Sequence, residues 1–156
     1  MNEPRIRPAT EQDTARLVAF NLAMAKETEG IDLPIDTVSA GVAALFKQPQ
    51  YGFYLVAEIN GEVVGGLMIT YEWSDWRDGL FWWIQSVYVA PAQRGKGIYK
   101  ALYAEVKRRA VKQGDVCGFR LYVERENQRA QQTYQSLGMT ETHYRVFEEL
   151  INRPSQ

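Results

Sequence analysis

The run with the most chemical promise is Val87-Tyr-Val-Ala-Pro-Ala-Gln-Arg-Gly-Lys-Gly-Ile-Tyr99. A strand-like stretch ends at Val89, a short loop carries Gly95 and Gly97, and a helical pattern begins at once. Glycines let a backbone approach an anion closely, and the first N–H groups of a helix point outward without intrahelical partners. Arg94 adds a charge-assisted donor for phosphate oxygens. The residues that could cradle a pyrophosphate are therefore Arg94, Gly95, Lys96, Gly97, Ile98, Tyr99 and Lys100. A dinucleotide fingerprint would need a third glycine where Lys100 stands, and a nucleotide-triphosphate loop would need Gly-Lys-Ser/Thr where the chain has Gly95-Lys96-Gly97. Taken alone, a Gly-x-Gly before a helix is equally well read as a tight strand-to-helix turn.

A second segment, Asn127-Gln-Arg-Ala130-Gln-Gln-Thr-Tyr134-Gln-Ser-Leu-Gly-Met139, lies one strand further on. Together the two segments resemble the signature motifs of the GCN5-related N-acetyltransferase (GNAT) superfamily. Its phosphate motif, Gln/Arg-x-x-Gly-x-Gly/Ala, is met from Arg94 to Tyr99 except at the last place, where Tyr99 replaces a small residue. Its later motif, Asn-x-x-Ala-x-x-x-Tyr-x-x-x-Gly-Phe/Met, is matched throughout. The compact Tyr-Val-Ala-Pro-x-x-Arg-Gly-Lys-Gly loop is similar to that of the diamine acetyltransferase-like branch.

The resemblance implies an enzyme that uses acetyl-CoA as cosubstrate, without a metal. It would transfer acetyl to the primary amine of a small molecule by direct attack in a ternary complex. Val87, Tyr88 and Val89 would pair with the pantetheine as a strand does, and the Val87 N–H would serve the oxyanion. Asn127 and Ala130 would line the pantetheine side. Tyr134 would protonate the leaving thiolate, whose reference pKa is ~8.5. Tyr134 also shares a helical face with Ala130 and Leu137, which is the packing alternative. Gln85 stands where diamine-type members carry a glutamate, and a glutamine is no base. An alkyl ammonium, reference pKa ~10.4, must still lose a proton. Water or Glu72 on the neighbouring strand would have to take it, or the acceptor would have to be an amine of lower pKa. Gln85 and Glu29 are the expected acceptor-side residues; Glu27, two residues before Glu29 at the end of the first helix, could attract a cationic amine in the same way, and solvated helix-end carboxylates are the alternative for both. The rival readings are a non-catalytic acyl-CoA-binding or regulatory module, favoured by Gln85, and a protein N-terminal or lysine acetyltransferase.

These residues need elements to position them. Arg5–Pro8 reads as a strand, followed by a helix that Thr10 and Asp13 begin in a capping-box arrangement and Gly30 ends. A second helix is expected over Asp36–Phe46, with Asp36 as its cap. Tyr51–Ile59, Glu62–Tyr71 and Leu80–Val89 read as three antiparallel strands, the first pair joined at Asn60-Gly61. Ile98, Leu102, Val106 and Ala110 share one face of a helix that Gly114 closes. Gly118–Val123 is a strand, Asn127 caps another helix, Leu137-Gly138-Met139 is its glycine C-cap, and His143–Leu150 is a final strand. The expected fold is α+β: a mixed, mainly antiparallel twisted sheet flanked by helices on both faces, in the order β-α-α-β-β-β-α-β-α-β.

Composition narrows the function classes. The chain has 156 residues, enough for a single domain, which is the expectation. Its net charge of −1 gives no electrostatic case for nucleic acid or an anionic membrane. One Cys and one His exclude an internal disulfide and a multi-histidine metal centre. No apolar run approaches the ~20 residues of a membrane span, and the polar N-terminus has no secretory core, so a cytoplasmic setting is expected. The basic turn Lys107-Arg108-Arg109 reads as a solvated face. Cys117 reads as a small core residue and His143 as a surface one. Trp73, Trp76, Trp82 and Trp83 would pack a core or interface or wall an acceptor pocket. The aromatic-rich strands and the final strand suggest a homodimer.

Overall fold

A computed structural model describes residues 3–154. Its chain divides after Glu124 into two compact units. The first contains β1 (Arg5–Pro8), α1 (Thr14–Glu29), α2 (Ile35–Phe46), β2 (Gly52–Ile59), β3 (Glu62–Ser74), β4 (Gly79–Val89), α3 (Ile98–Gln113) and β5 (Val116–Leu121). The sheet order is β1-β2-β3-β4-β5, antiparallel throughout except for the parallel β4–β5 pair.

The hairpins follow from their turns. Asn60 and Gly61 both take positive φ, 52° and 79°, as a type I′ turn between β2 and β3 requires. The β3–β4 turn is tighter than the sequence suggests. Tyr71 pairs with Trp82, Glu72 with Phe81, Trp73 with Leu80 and Ser74 with Gly79, so the ladder runs through what reads as a polar turn. The aromatic Tyr71–Trp82 pair and the apolar Trp73–Leu80 pair carry the ladder further than polarity predicts.

Each face of the sheet carries helices. On one, Leu17 and Val18 of α1 and Val42 of α2 pack with Tyr54 and Val56 of β2, joined at the margin by Met68 of β3. The stripe Ile98, Leu102, Val106 and Ala110 of α3 is buried as its spacing predicts. The start of α1 is fixed by Asp13. Its carboxylate accepts the Thr10 backbone N–H at 2.8 Å and two Arg7 guanidinium bonds at 2.8 and 3.1 Å. The Arg7 bonds hold the Asp13 carboxyl below its ordinary range. One expectation is corrected in α2: Pro34 is its N-cap, and Asp36 lies in the first turn, where its charge opposes the helix dipole favourably.

The second unit contains α4 (Gln128–Ser136). The Asn127 side chain accepts the Ala130 N–H at 3.1 Å, so it is the expected helix cap. Gly138 takes φ 104° and the Met139 N–H returns to the Tyr134 carbonyl at 3.0 Å, closing the helix as the Leu-Gly-Met pattern foretells. The expected final strand His143–Leu150 is not formed: residues 140–154 contain no strand. Alternation in sequence supplies a strand's side-chain pattern, but a strand exists only where a neighbour completes its ladder. Tyr144, Val146, Phe147 and Leu150 are exposed, Phe147 by 94%. The observed order is therefore β-α-α-β-β-β-α-β-α, and the α+β class stands. Cys117 is also corrected: it is exposed on β5 rather than buried. Among the described residues, no helix is long and apolar enough to cross a membrane.

Candidate active site

The parallel pairing of β4 with β5 begins at Leu80↔Val116 and stops at Ile84↔Leu121. Beyond it, Gln85, Tyr88 and Val89 pair with Met68, Gly66 and Gly65 of β3, and among the described residues none of Gln85–Val89 pairs with β5. Ser86 takes φ 53°, and the β3–β4 register shifts around it. The bulge re-aims the strand end at the place where one of its edges is open. That edge carries Val87, Tyr88 and Val89, and a linear amide-bearing ligand could pair along it.

The strand then enters the glycine loop. The Ala90 N–H is fixed to the Val64 carbonyl at 2.8 Å, and one 3-10 turn covers Pro91–Gln93. Gly95 and Gly97 take φ 76° and 82°, and Gly97 is the N-cap residue of α3. A Cβ at either glycine would meet no atom within 4 Å. The glycines are therefore there for backbone conformation, with open space in front of them. Ile98, Tyr99 and Lys100 open α3, so their N–H groups lack intrahelical carbonyl partners. Ile98 points into the core, whereas Lys96 and Lys100 are exposed beside the loop. The Tyr99 ring stacks on Tyr103 one turn further along α3, centroids 6.0 Å apart and 7° from parallel. That stacking gives the large side chain a place on the helix.

On the sheet face shared with Met68, Gln85 donates from Nε2 to the Thr70 hydroxyl at 2.6 Å. Two residues back along the strand, Trp83 Nε1 donates to Glu72 at 2.7 Å. Arg120 donates to both oxygens of the same carboxylate at 3.1 and 3.0 Å and lies 3.7 Å from the Phe81 ring centroid. Glu72, the one alternative base foreseen nearby, is therefore held by three donor contacts. Trp82 faces the other way and is buried beside Phe53 and Tyr71, while Trp73 and Trp76 are exposed at the turn. The four tryptophans do not form one wall.

In the second unit, Tyr134 is half-buried on α4 with Ala130 four residues before it. Burial raises its phenol pKa from an ordinary value that already lies well above neutrality, so the group is protonated at neutral pH.

A sequence profile described as Acetyltransferase (GNAT) family matches residues 20–139, well over half of the chain. The chain belongs to the GNAT acetyltransferase family. A crystal structure of a possible acetyltransferase from Clostridium difficile 630 is 43% identical, with TM-score 0.89, over 97% of this chain and 100% of that one. Two further structures share the fold. AAC(6')-Iy in complex with the bisubstrate analog CoA-S-monomethyl-acetylneamine is 19% identical, TM-score 0.77, over 97% and 100% of the two chains. A predicted acetyltransferase with acetyl-CoA from Clostridium acetobutylicum is 17% identical, TM-score 0.77, over 94% and 96%. No curated protein sequence matches the chain.

Seen as a GNAT enzyme, the chain holds one arrangement that its motifs do not announce. Glu27 of α1 accepts the Tyr88 hydroxyl at 2.9 Å and the Arg94 guanidinium at 2.8 Å. The Arg94 bond is the main reason the Glu27 carboxyl lies below its ordinary range. Burial, aided by Glu27, pushes the Tyr88 phenol up. Glu29, the expected acceptor-side carboxylate, is exposed at the last position of α1. Helical spacing could not choose between the two, because the choice depends on where the loop crosses α1. Among the described residues no group of three or more His, Cys, Asp or Glu side chains could hold a metal ion.

Proposed function

We propose that this GNAT protein is an acetyl-CoA-dependent N-acetyltransferase acting on the primary amine of a small molecule, and that residues 1–156 work as one functional domain. The observation that carries the reading is the open β4 edge, Gln85–Val89, running directly into the glycine-lined N-terminus of α3. The edge suits the amides of pantetheine, and the helix start suits a pyrophosphate. Lys96 and Lys100 would add charge beside it.

In this reading the amine nitrogen attacks the thioester carbonyl carbon, and the developing oxyanion takes the Val87 N–H. The C–S bond then breaks, and Tyr134 gives its proton to the departing sulfur. Asn127 and Ala130 would face the pantetheine, and Gln85 and Glu29 the acceptor. The acceptor ammonium first gives one proton to water, which frees its lone pair, since Gln85 has no basic oxygen and the oxygens of Glu72 are engaged by Trp83 and Arg120; after attack the nitrogen's second proton returns through water to the Tyr134 phenolate. That neutralised carboxylate also supports an acceptor other than a diamine, despite the loop's likeness to that branch.

The exposed apolar run Tyr144, Val146, Phe147, Leu150 and Ile151 supports a homodimer. An exposed lone cysteine, Cys117, suits a reducing cytoplasm. The deciding experiment is thiol release from acetyl-CoA across a panel of monoamines, polyamines, amino acids and short peptides. Release with a small amine is the expected result. Release only with peptides would replace it with the protein acetyltransferase, and tight CoA binding without release from any acceptor would favour the binding module.

A further inference from the structure

A loop rich in glycine can approach an anion, but the same freedom leaves it without a fixed shape. Something outside the loop has to hold it, and Arg94, the residue just before Gly95, is tied at several points. Its Nε donates to the Val89 carbonyl at 2.8 Å, and its Nη2 donates to Glu27 at 2.8 Å. Its guanidinium lies 5.2 Å from the Tyr88 ring centroid, and its backbone N–H reaches the Pro91 carbonyl at 3.3 Å. Glu27 is itself oriented, because its second oxygen accepts the Tyr88 hydroxyl at 2.9 Å. Tyr88 is buried and packs on Phe20 of α1 with ring centroids 5.2 Å apart. The first helix, the end of β4 and the glycine loop are thus joined through one carboxylate and one guanidinium.

We infer that Glu27 is a positioning residue for acetyl-CoA: acting through Arg94, it fixes the phosphate loop against α1 and β4, and Arg94 is a strut of that loop rather than a ligand of phosphate. The inference rests on the acetyl-CoA reading above. It has a charge consequence. Glu27 cancels the Arg94 charge, so the attraction for a pyrophosphate falls to Lys96, Lys100 and the N–H groups at the start of α3. A phosphate would have to displace an oriented carboxylate to reach the guanidinium, whereas the Cβ sides of Gly95 and Gly97 face open space.

The test is acetyl-CoA affinity by calorimetry, with steady-state kinetics, for Glu27→Gln, Arg94→Gln and the double variant. The two single changes are expected to weaken acetyl-CoA by about threefold to fivefold, Arg94→Gln somewhat the more because it also loses the Val89 bond, and the double to be no weaker than the poorer single, because both break the shared Glu27–Arg94 contact. The effect falls on KM for acetyl-CoA, with kcat changing by less than about twofold. Arg94→Lys gives a second decision, independent of whether Glu27→Gln folds. A strut needs the guanidinium fork, so Lys behaves as Gln does; a phosphate ligand needs the charge, so Lys restores binding. Restoration by Lys, a loss at Arg94→Gln tenfold or more beyond that at Glu27→Gln, or tighter binding in Glu27→Gln would each overturn the inference while leaving the acetyl-CoA reading intact. Failure of the unaltered protein to bind acetyl-CoA would overturn both.

Discussion

Tyr134 and Gln85 carry the chemical argument at the scale of single residues, and they lead to separate predictions. The Tyr134 phenol, whose ordinary pKa lies well above neutrality and is raised further by burial, carries at neutral pH the proton an acid needs. Tyr134→Phe removes the proton and little volume, so kcat should fall by about a hundredfold while acetyl-CoA affinity by calorimetry stays the same. A large loss of affinity would assign the ring to packing instead. Gln85, fixed on Thr70, offers no base. The alkaline-rising limb of kcat/KM should therefore follow the acceptor amine itself, near its ordinary pKa of about 10 for an alkylamine. A limb at neutral pH, unchanged from one amine to another, would reveal a protein base. Much of this site was legible in sequence, since Arg94–Tyr99 and Asn127–Met139 fix residue types at short range. Glu27 was not singled out from Glu29, because two carboxylates two residues apart on a helix differ only in what the rest of the fold brings near them.

Among the elements, α3 was the most legible. Its stripe of Ile98, Leu102, Val106 and Ala110 is buried throughout, and Gly97 and Gly114 mark its ends. Leu102 is fully buried, so Leu102→Ala should lower unfolding free energy by about 2–5 kcal/mol, measured by denaturant titration. Gly97 tests the loop rather than the core. At φ 82° an alanine has open space but the wrong backbone preference, so Gly97→Ala should cost about 1 kcal/mol and weaken acetyl-CoA binding. Stability loss without an affinity change would show that the loop's shape is irrelevant to the ligand. The β3–β4 hairpin was read too short because Trp73 and Ser74 stand in a polar stretch. Their pairing with Leu80 and Gly79 is a cross-strand property that no window on one strand contains.

For the molecule as a whole, pH and assembly give the measurable consequences. Asp13, held by Arg7 and the Thr10 N–H, titrates lower in the folded chain than in the unfolded one, chiefly through the Arg7 bond. A depressed carboxyl contributes stability that is fully present above its unfolded pKa, near 4, and is lost as pH falls through the folded value. Thermal melts should accordingly be flat around neutrality and fall below about pH 4, and Asp13→Asn should remove part of that acid dependence while lowering stability at pH 7 by about 1–3 kcal/mol. An unchanged acid limb in the variant would place the titrating group elsewhere. The homodimer proposal is read by light scattering. Phe147→Asp together with Leu150→Asp should convert a dimer to a monomer, and a monomeric unaltered chain would remove the proposal.

The sequence by itself determined the short-range features: the type I′ turn at Asn60-Gly61, the α3 stripe, the Asn127 cap, the Gly138 helix end and the two GNAT motifs. Each is set by residues within one or two turns of each other, where local backbone geometry leaves few choices. Only the tertiary structure decided that β4 loses its β5 partner after Ile84, that Glu72 is taken by Trp83 and Arg120, that Glu27 meets Arg94, and that residues 143–150 find no ladder. The side-chain contacts among them join residues 11 to 67 positions apart. They depend on which surfaces packing brings together, and side-chain type along the chain does not encode that distance.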